Sequence, residues 1–124
     1  MAEYSKRIKR LIREWMMEAY ERELHRELTR LDESFAAWRD GAIGSGELSD
    51  RIHQWERGPS RALFKHYNRG PQDMSLAYAI AIGVLDKDEL PPELLEAMSR
   101  PLAFFWSLKE RDELRTREGH WWSD

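Results

Sequence analysis

The chain contains no cysteine. That excludes a disulfide frame, a cysteine-ligated zinc site, a thiolate-held iron–sulfur cluster and a thiol nucleophile. Proline and glycine are sparse, at five and seven in 124 residues, which leaves room for long helices. Long apolar runs are missing. The longest, Met74 to Leu85, is broken only by Ser75 and falls short of the ~20 residues a bilayer span needs. The opening stretch, MAEYSKRIKRLIREW, carries a charge every two or three residues and so has no signal-peptide core. These absences predict a cytoplasmic protein of bacterial type with no membrane contact. Strand-like alternation is absent too. Net charge is only −3, which argues against a dedicated nucleic-acid binder.

What is present is charge and aromatic mass. Charged residues make up 35% of the chain, a density that on its own suggests disorder. Six Trp, four Tyr and four Phe argue the other way, because they can anchor a core. Helical spacing runs nearly throughout, so the expected fold is all-α: a single domain, residues 1–124, of five or six helices. The spacing predicts a first helix over residues 5–40, stopped by Gly41. A helical body follows over 45–117, and residues 118–124 form a tail. Within the body, Ser45 is the expected N-cap of a helix to Arg57, which Gly58 ends. Pro59 opens the next, to about Tyr67. Further helices are expected over 73–85, from Pro91-Pro92 to Ser99, and from Pro101 to Arg117. The segment 75–85 is hydrophobic nearly all round and should be the central buried helix.

The first helix is the most informative element. At 1.5 Å per residue it spans ~54 Å, against a diameter of ~35 Å for a compact domain of this length. It also carries two apolar stripes. Ile8, Leu11, Ile12, Trp15, Met16 and Ala19 share one face; Met17, Tyr20, Leu24, Leu28, Leu31, Phe35 and Trp38 share another, roughly 150° away. One straight helix cannot bury both against the same surface. The later stripe is expected on the following helices. The earlier one needs another cover: a second copy of the chain, the C-terminal helix, or a kink near Met17 to Arg22. The expectation adopted is a homodimer, self-associating through Ile8, Leu11, Ile12, Trp15, Met16 and Ala19.

Two other clusters suggest chemistry. Arg57, Arg61, Lys65 and Arg69 recur at four-residue spacing around the Gly58-Pro59-Ser60 junction. A helix starting there would offer free N–H groups, making Arg57, Ser60, Arg61, Lys65 and Arg69 an anion-binding face for phosphate, a nucleotide or nucleic acid. The junction lacks the glycines and the Gly-Lys-Ser/Thr ending of a P-loop. Asp50 and His53 stand three apart on one helix and could share a metal ion. His25, His53, His66 and His120 are otherwise scattered, no Gly-x-Ser-x-Gly elbow occurs, and no catalytic residue stands out. No cofactor is implied.

Four stretches resemble parts of a group of small uncharacterised bacterial helical proteins. They are Glu47-Leu-Ser-Asp-Arg-Ile-His-Gln-Trp55, Gly58-Pro-Ser-Arg-Ala-Leu-Phe-Lys-His-Tyr-Asn68, Leu76-Ala-Tyr-Ala-Ile-Ala-Ile-Gly-Val-Leu85 and Leu90-Pro-Pro-Glu-Leu-Leu95. The resemblance covers about residues 15–105. It implies an all-helical fold and carries no activity and no functional residue across. The sequence therefore predicts a non-enzymatic interaction or regulatory protein, with the anion-binding module and the metal-dependent enzyme as alternatives.

Overall fold

A computed structural model describes residues 3–123. Helices account for 74% of the chain, and no strand occurs among the described residues. Helix α1 is Lys6–Arg39. The hydroxyl of Ser5 caps its start by accepting from the Ile8 N–H at 3.1 Å. Gly41, at φ +79°, ends it: the Gly41 N–H donates to the Trp38 carbonyl and the Ala42 N–H to that of Ala37. This is a Schellman closure, and its left-handed residue is the reason for glycine.

The next element departs from expectation. Helix α2, Ser45–Trp55, does not stop at Gly58. It passes through a five-residue π-turn, Glu56–Ser60, into helix α3, Arg61–Asn68, with helical backbone at every junction. Pro59 lies inside that turn. In a regular α-helix its ring would clash with the carbonyl four residues back, and it has no N–H to donate. Widening the turn locally accommodates both defects. The start is shifted as well: Gly44 is the N-cap, and the Ser45 hydroxyl instead accepts from the Trp38 indole at 3.1 Å.

Helix α4 is Gln72–Ala81, closed by Gly83 at φ +88° rather than running to Leu85. A 3-10 turn, Lys87–Glu89, follows, then α5, Pro92–Ala97, and α6, Ser99–Glu110. Helix α6 stops seven residues short of the expected Arg117. Residues 111–123 instead form an irregular strap.

The core lies between α1, α3, α4, α5 and α6. Leu11, Ile12, Met16 and Ala19 of α1 pack with Leu63, Leu76, Ala77, Ala79, Ile80, Leu85, Leu94, Met98 and Leu102. Ile8 and Trp15 sit partly buried against the same cluster. Each fully buried Leu or Ile contributes ~1.5–3 kcal/mol. The early stripe is thus covered by the chain's own C-terminal helices, and the expected self-association face of Ile8, Leu11, Ile12, Trp15, Met16 and Ala19 is unavailable to a second copy. Helix α4 is central, as its all-round hydrophobicity predicts.

Two guanidiniums tie α1 to this half. Arg22 reaches both carboxylate oxygens of Glu89, at 2.7 and 2.8 Å, together with Glu18 and the Val84 carbonyl. Those bonds hold the Glu89 carboxyl down at about 2. Arg7 pairs with Glu93. Tyr4 donates to Asp73 at 2.6 Å, and burial with that carboxylate pushes its phenol up to about 12.

Beyond Glu27 no residue of α1 is buried. Its last turns are accompanied by α2, of which only Leu48 is buried. At 1.5 Å per residue α1 is ~51 Å long, so α1 and α2 together form a two-helix arm leading away from the core.

Candidate functional site

Two features of the surface stand out: a polar cluster under the C-terminal strap, and an apolar edge of α1.

The strap folds back across α1, the π-turn and α4. Its centre is Arg117, whose Nε donates to Glu23 Oε1 at 2.8 Å. Glu23 is on α1 and only 6% exposed. Its other oxygen accepts from the Tyr67 hydroxyl at 2.6 Å. The guanidinium is stacked over the rings of Tyr78 and Trp121, at 5.0 and 4.3 Å from their centroids. Both oxygens of Glu23 are therefore committed, and the group serves as a paired structural carboxylate, not a free base. Burial and the adjacent Glu23 carboxylate push the Tyr67 phenol up.

One turn along α1, Glu27 is 3% exposed. Its carboxylate accepts from the Trp121 indole at 3.3 Å and from Arg30 at 3.4 Å, while its carbonyl accepts from the Trp55 indole at 3.0 Å. Trp122 lies against Gly58 of the π-turn. Arg26 and Tyr78 donate to the backbone carbonyls of Arg117 and Arg115.

His66 closes one end of this cluster. Its ring meets Tyr67 edge-on at 4.7 Å and Tyr78 at 5.2 Å. Its Nε2 is buried without a hydrogen-bond partner. Burial, then the neighbouring Arg117 cation, push the imidazole down to about 4. A shallow cleft of about 260 Å³ opens here, lined by His66, Met74, Ser75, Tyr78, Phe105 and Arg117. Of this cluster only Tyr78, within the apolar segment 75–85, stands out in the sequence. Glu23 and Glu27 sit among charges of both signs along α1, the usual pattern of a solvated face. Only their phase on α1, shared with Met16 and Ala19, marks them as inward-facing.

The expected sites are placed differently. Arg57, Arg61, Lys65 and Arg69 are all exposed, and Ser60 is half-buried. Because α2 runs through the π-turn into α3, no free helix N-terminus exists at Ser60, and the anion cradle expected there lacks its N–H donors. Arg61 instead approaches Glu56 at 3.8 Å. Asp50 and His53 are both exposed on α2. Among the described residues no three His, Asp or Glu side chains gather to hold a metal ion.

The second feature is what remains of the later stripe of α1. Its inner members meet α2 and α3: Tyr20 stacks on Tyr67 at 5.0 Å, and Leu31 lies beside Trp55 and Pro59. Its outer edge is open at Met17 and Leu28, while Leu24 packs against the core cluster. Met17 is 71% and Leu28 48% exposed, with Leu24 and Phe35 half-buried between and beyond them. At ~100° per residue these four fall within about 40° of one another. Phe64 of α3 and Ile52 of α2 are exposed as well.

Among the described residues no helix is long and apolar enough to cross a membrane. Comparison with known proteins gives no match to a family model, a curated protein or a solved structure.

Proposed function

We propose that the protein is a helical interaction module that associates with a second copy of itself through the outer edge of α1, formed by Met17, Leu24, Leu28 and Phe35. The observation that supports this is the exposure of Met17 and Leu28 in line with two half-buried apolar neighbours. An apolar row of this length, flanked by charges, is the usual form of a helix-pairing surface. The flanking charges on α1 have both signs, with Arg10, Glu14, Glu21, Asp32 and Arg39 near the row. A mixed field of that kind suits a like partner in a two-fold pair better than a strongly acidic or basic one.

The test is sedimentation at several concentrations. Wild-type protein is expected to shift from monomer to dimer with rising concentration, and Met17→Glu with Leu28→Glu to remain monomeric with unchanged helix content. Ile12→Glu serves as the contrast. Ile12 is 2% exposed inside the core, so this change should cost folding itself, by ~4 kcal/mol or more. A strict monomer at all concentrations overturns the proposal.

A further inference from the structure

The strap is built like a bound peptide. Among the described residues, none of 114–122 forms a backbone–backbone hydrogen bond with the body. They are held by side chains: Glu23 grips Arg117, Glu27 accepts from Trp121, Gly58 seats Trp122, and Tyr78 and Arg26 hold carbonyls. Removing the strap would leave two inward-facing carboxylates one turn apart and a side-chain-free seat on the π-turn. Such a surface matches a guanidinium followed by an indole.

Two observations make the strap releasable. The first is its hinge. Helix α6 ends in the same closure as α1, with the Asp112 N–H donating to the Lys109 carbonyl and the Glu113 N–H to that of Leu108. The left-handed position, held by Gly41 in α1, is here held by Asp112 at φ +58°. A side chain at that position is disfavoured, although aspartate tolerates it better than most. The second is the sequence beyond. Glu113-Leu-Arg-Thr-Arg-Glu118 contains no helix breaker, and the first is Gly119. A released strap therefore has an ordered alternative, as a continuation of α6, and release does not require that the segment become a coil.

We propose that the groove formed by Glu23 and Glu27 of α1, Gly58 of the π-turn and Tyr78 of α4 is a docking site for a linear segment of another protein that carries an arginine and, four residues on, a tryptophan pair. The chain's own strap is the competitor that fills this site in cis. Glu23 and Glu27 lie about 100° round α1 from the Met17–Leu28 edge, and the groove uses none of the residues of the self-association proposed above.

The test uses the full chain and a fluorescein-labelled synthetic peptide of residues 113–123. Arg117→Glu sets a carboxylate against Glu23 and should free the groove. Trp121→Ala with Trp122→Ala is a second route to the same state. Both variants, confirmed as folded by near-ultraviolet circular dichroism, should bind the peptide at least tenfold more tightly than wild type does. Adding Glu23→Gln or Gly58→Ala to either should cut that binding at least tenfold, the second because its methyl occupies the Trp122 seat. Peptide binding by the freed variants no tighter than by wild type, or indifferent to both groove changes, overturns the proposal. So does the pairing of Glu23→Arg chains with Arg117→Glu chains into heterodimers on mixing, which would assign the groove to the strap of a second copy.

Discussion

The indole of Trp122 occupies the space that a side chain at position 58 would need. A β-carbon built on Gly58 would lie 2.5 Å from the Trp122 Nε1. The glycine backbone there is helical, so its conformation needs no glycine; the neighbour does. Gly58→Ala should gain ~1 kcal/mol of helix propensity and lose the packing of one terminal indole. The net change in stability is expected within ~1 kcal/mol of zero. The Trp122 indole proton should move to the position of a solvated tryptophan in a 1H–15N spectrum, with the distant indoles of Trp15, Trp38 and Trp106 unmoved. An unmoved Trp122 signal would contradict the seat.

The Glu23 pair gives a sharper energetic test. Removing Arg117 leaves a 6%-exposed carboxylate without its cation. Truncation of one member of such a pair costs ~3–5 kcal/mol. Arg117→Ala should therefore cost at least ~2 kcal/mol in urea, allowing for relaxation of the strap. Tyr67→Phe deletes the other bond to Glu23 and should cost ~1.5–3 kcal/mol. The two losses share one acceptor, so the double variant should fall short of their sum. Additive losses would mean that the two bonds act independently.

Acid should weaken the fold through His66. His66 is held neutral, its pKa down at about 4 against an ordinary 6.5. The unfolded chain takes up a proton between those values and the folded chain does not, so stability is complete above pH 6.5 and falls as the pH drops toward 4. His66 is partly reached by solvent, which limits the effect to ~2 kcal/mol. Thermal melts of wild type and His66→Gln across pH 7 to 4.5 should diverge, with the variant flatter. Parallel curves would remove His66 as the source.

Asp112 marks a position where the fold accepts a less than ideal residue. Asp112→Gly should stabilise by ~0.5–1 kcal/mol, because glycine holds a left-handed cap without cost. Asp112→Val should destabilise by more than that, as a branched side chain there is strained. Chemical melts of the two would settle the order, and equal midpoints would count against a strained cap.

How far these features were legible follows from what each depends on. The helices of α1, α4 and α5 rest on local spacing and, for α1 and α5, on Gly41 and Pro92, all of which a sequence displays; the stop of α4 at Gly83 was hidden by the apolar run that continues to Leu85. Periodicity says that Ile12 and Met16 are buried without saying against what; their cover is the chain's own Leu63, Leu76, Leu94, Met98 and Leu102, distant in sequence. Gly58-Pro59 reads as a break because that is its ordinary local meaning, and only tertiary packing on both sides holds a helix through it. The end of α6 was missed for the opposite reason. Glu113 to Glu118 is helix-forming by composition, and its extended course is fixed by Glu23 and Glu27, long-range partners with no mark in the local pattern.

The π-turn at Glu56–Ser60 also acts on the phase of the helix that crosses it. Counting ~100° per residue, an uninterrupted α-helix with Leu48 facing inward would carry Tyr67 about 100° round, out of the core. One residue absorbed in the wider turn sets the second half back by that angle, and Leu63 and Tyr67 then point the same way as Leu48 and Trp55. Deleting Pro59 would let a regular α-helix carry Leu63 and Tyr67 inward with no wider turn, whereas inserting one residue there would rotate the whole of α3 against α1 and α4 by about 100°. The interval between Trp55 and Leu63 is thus a gauge of angle as much as of length.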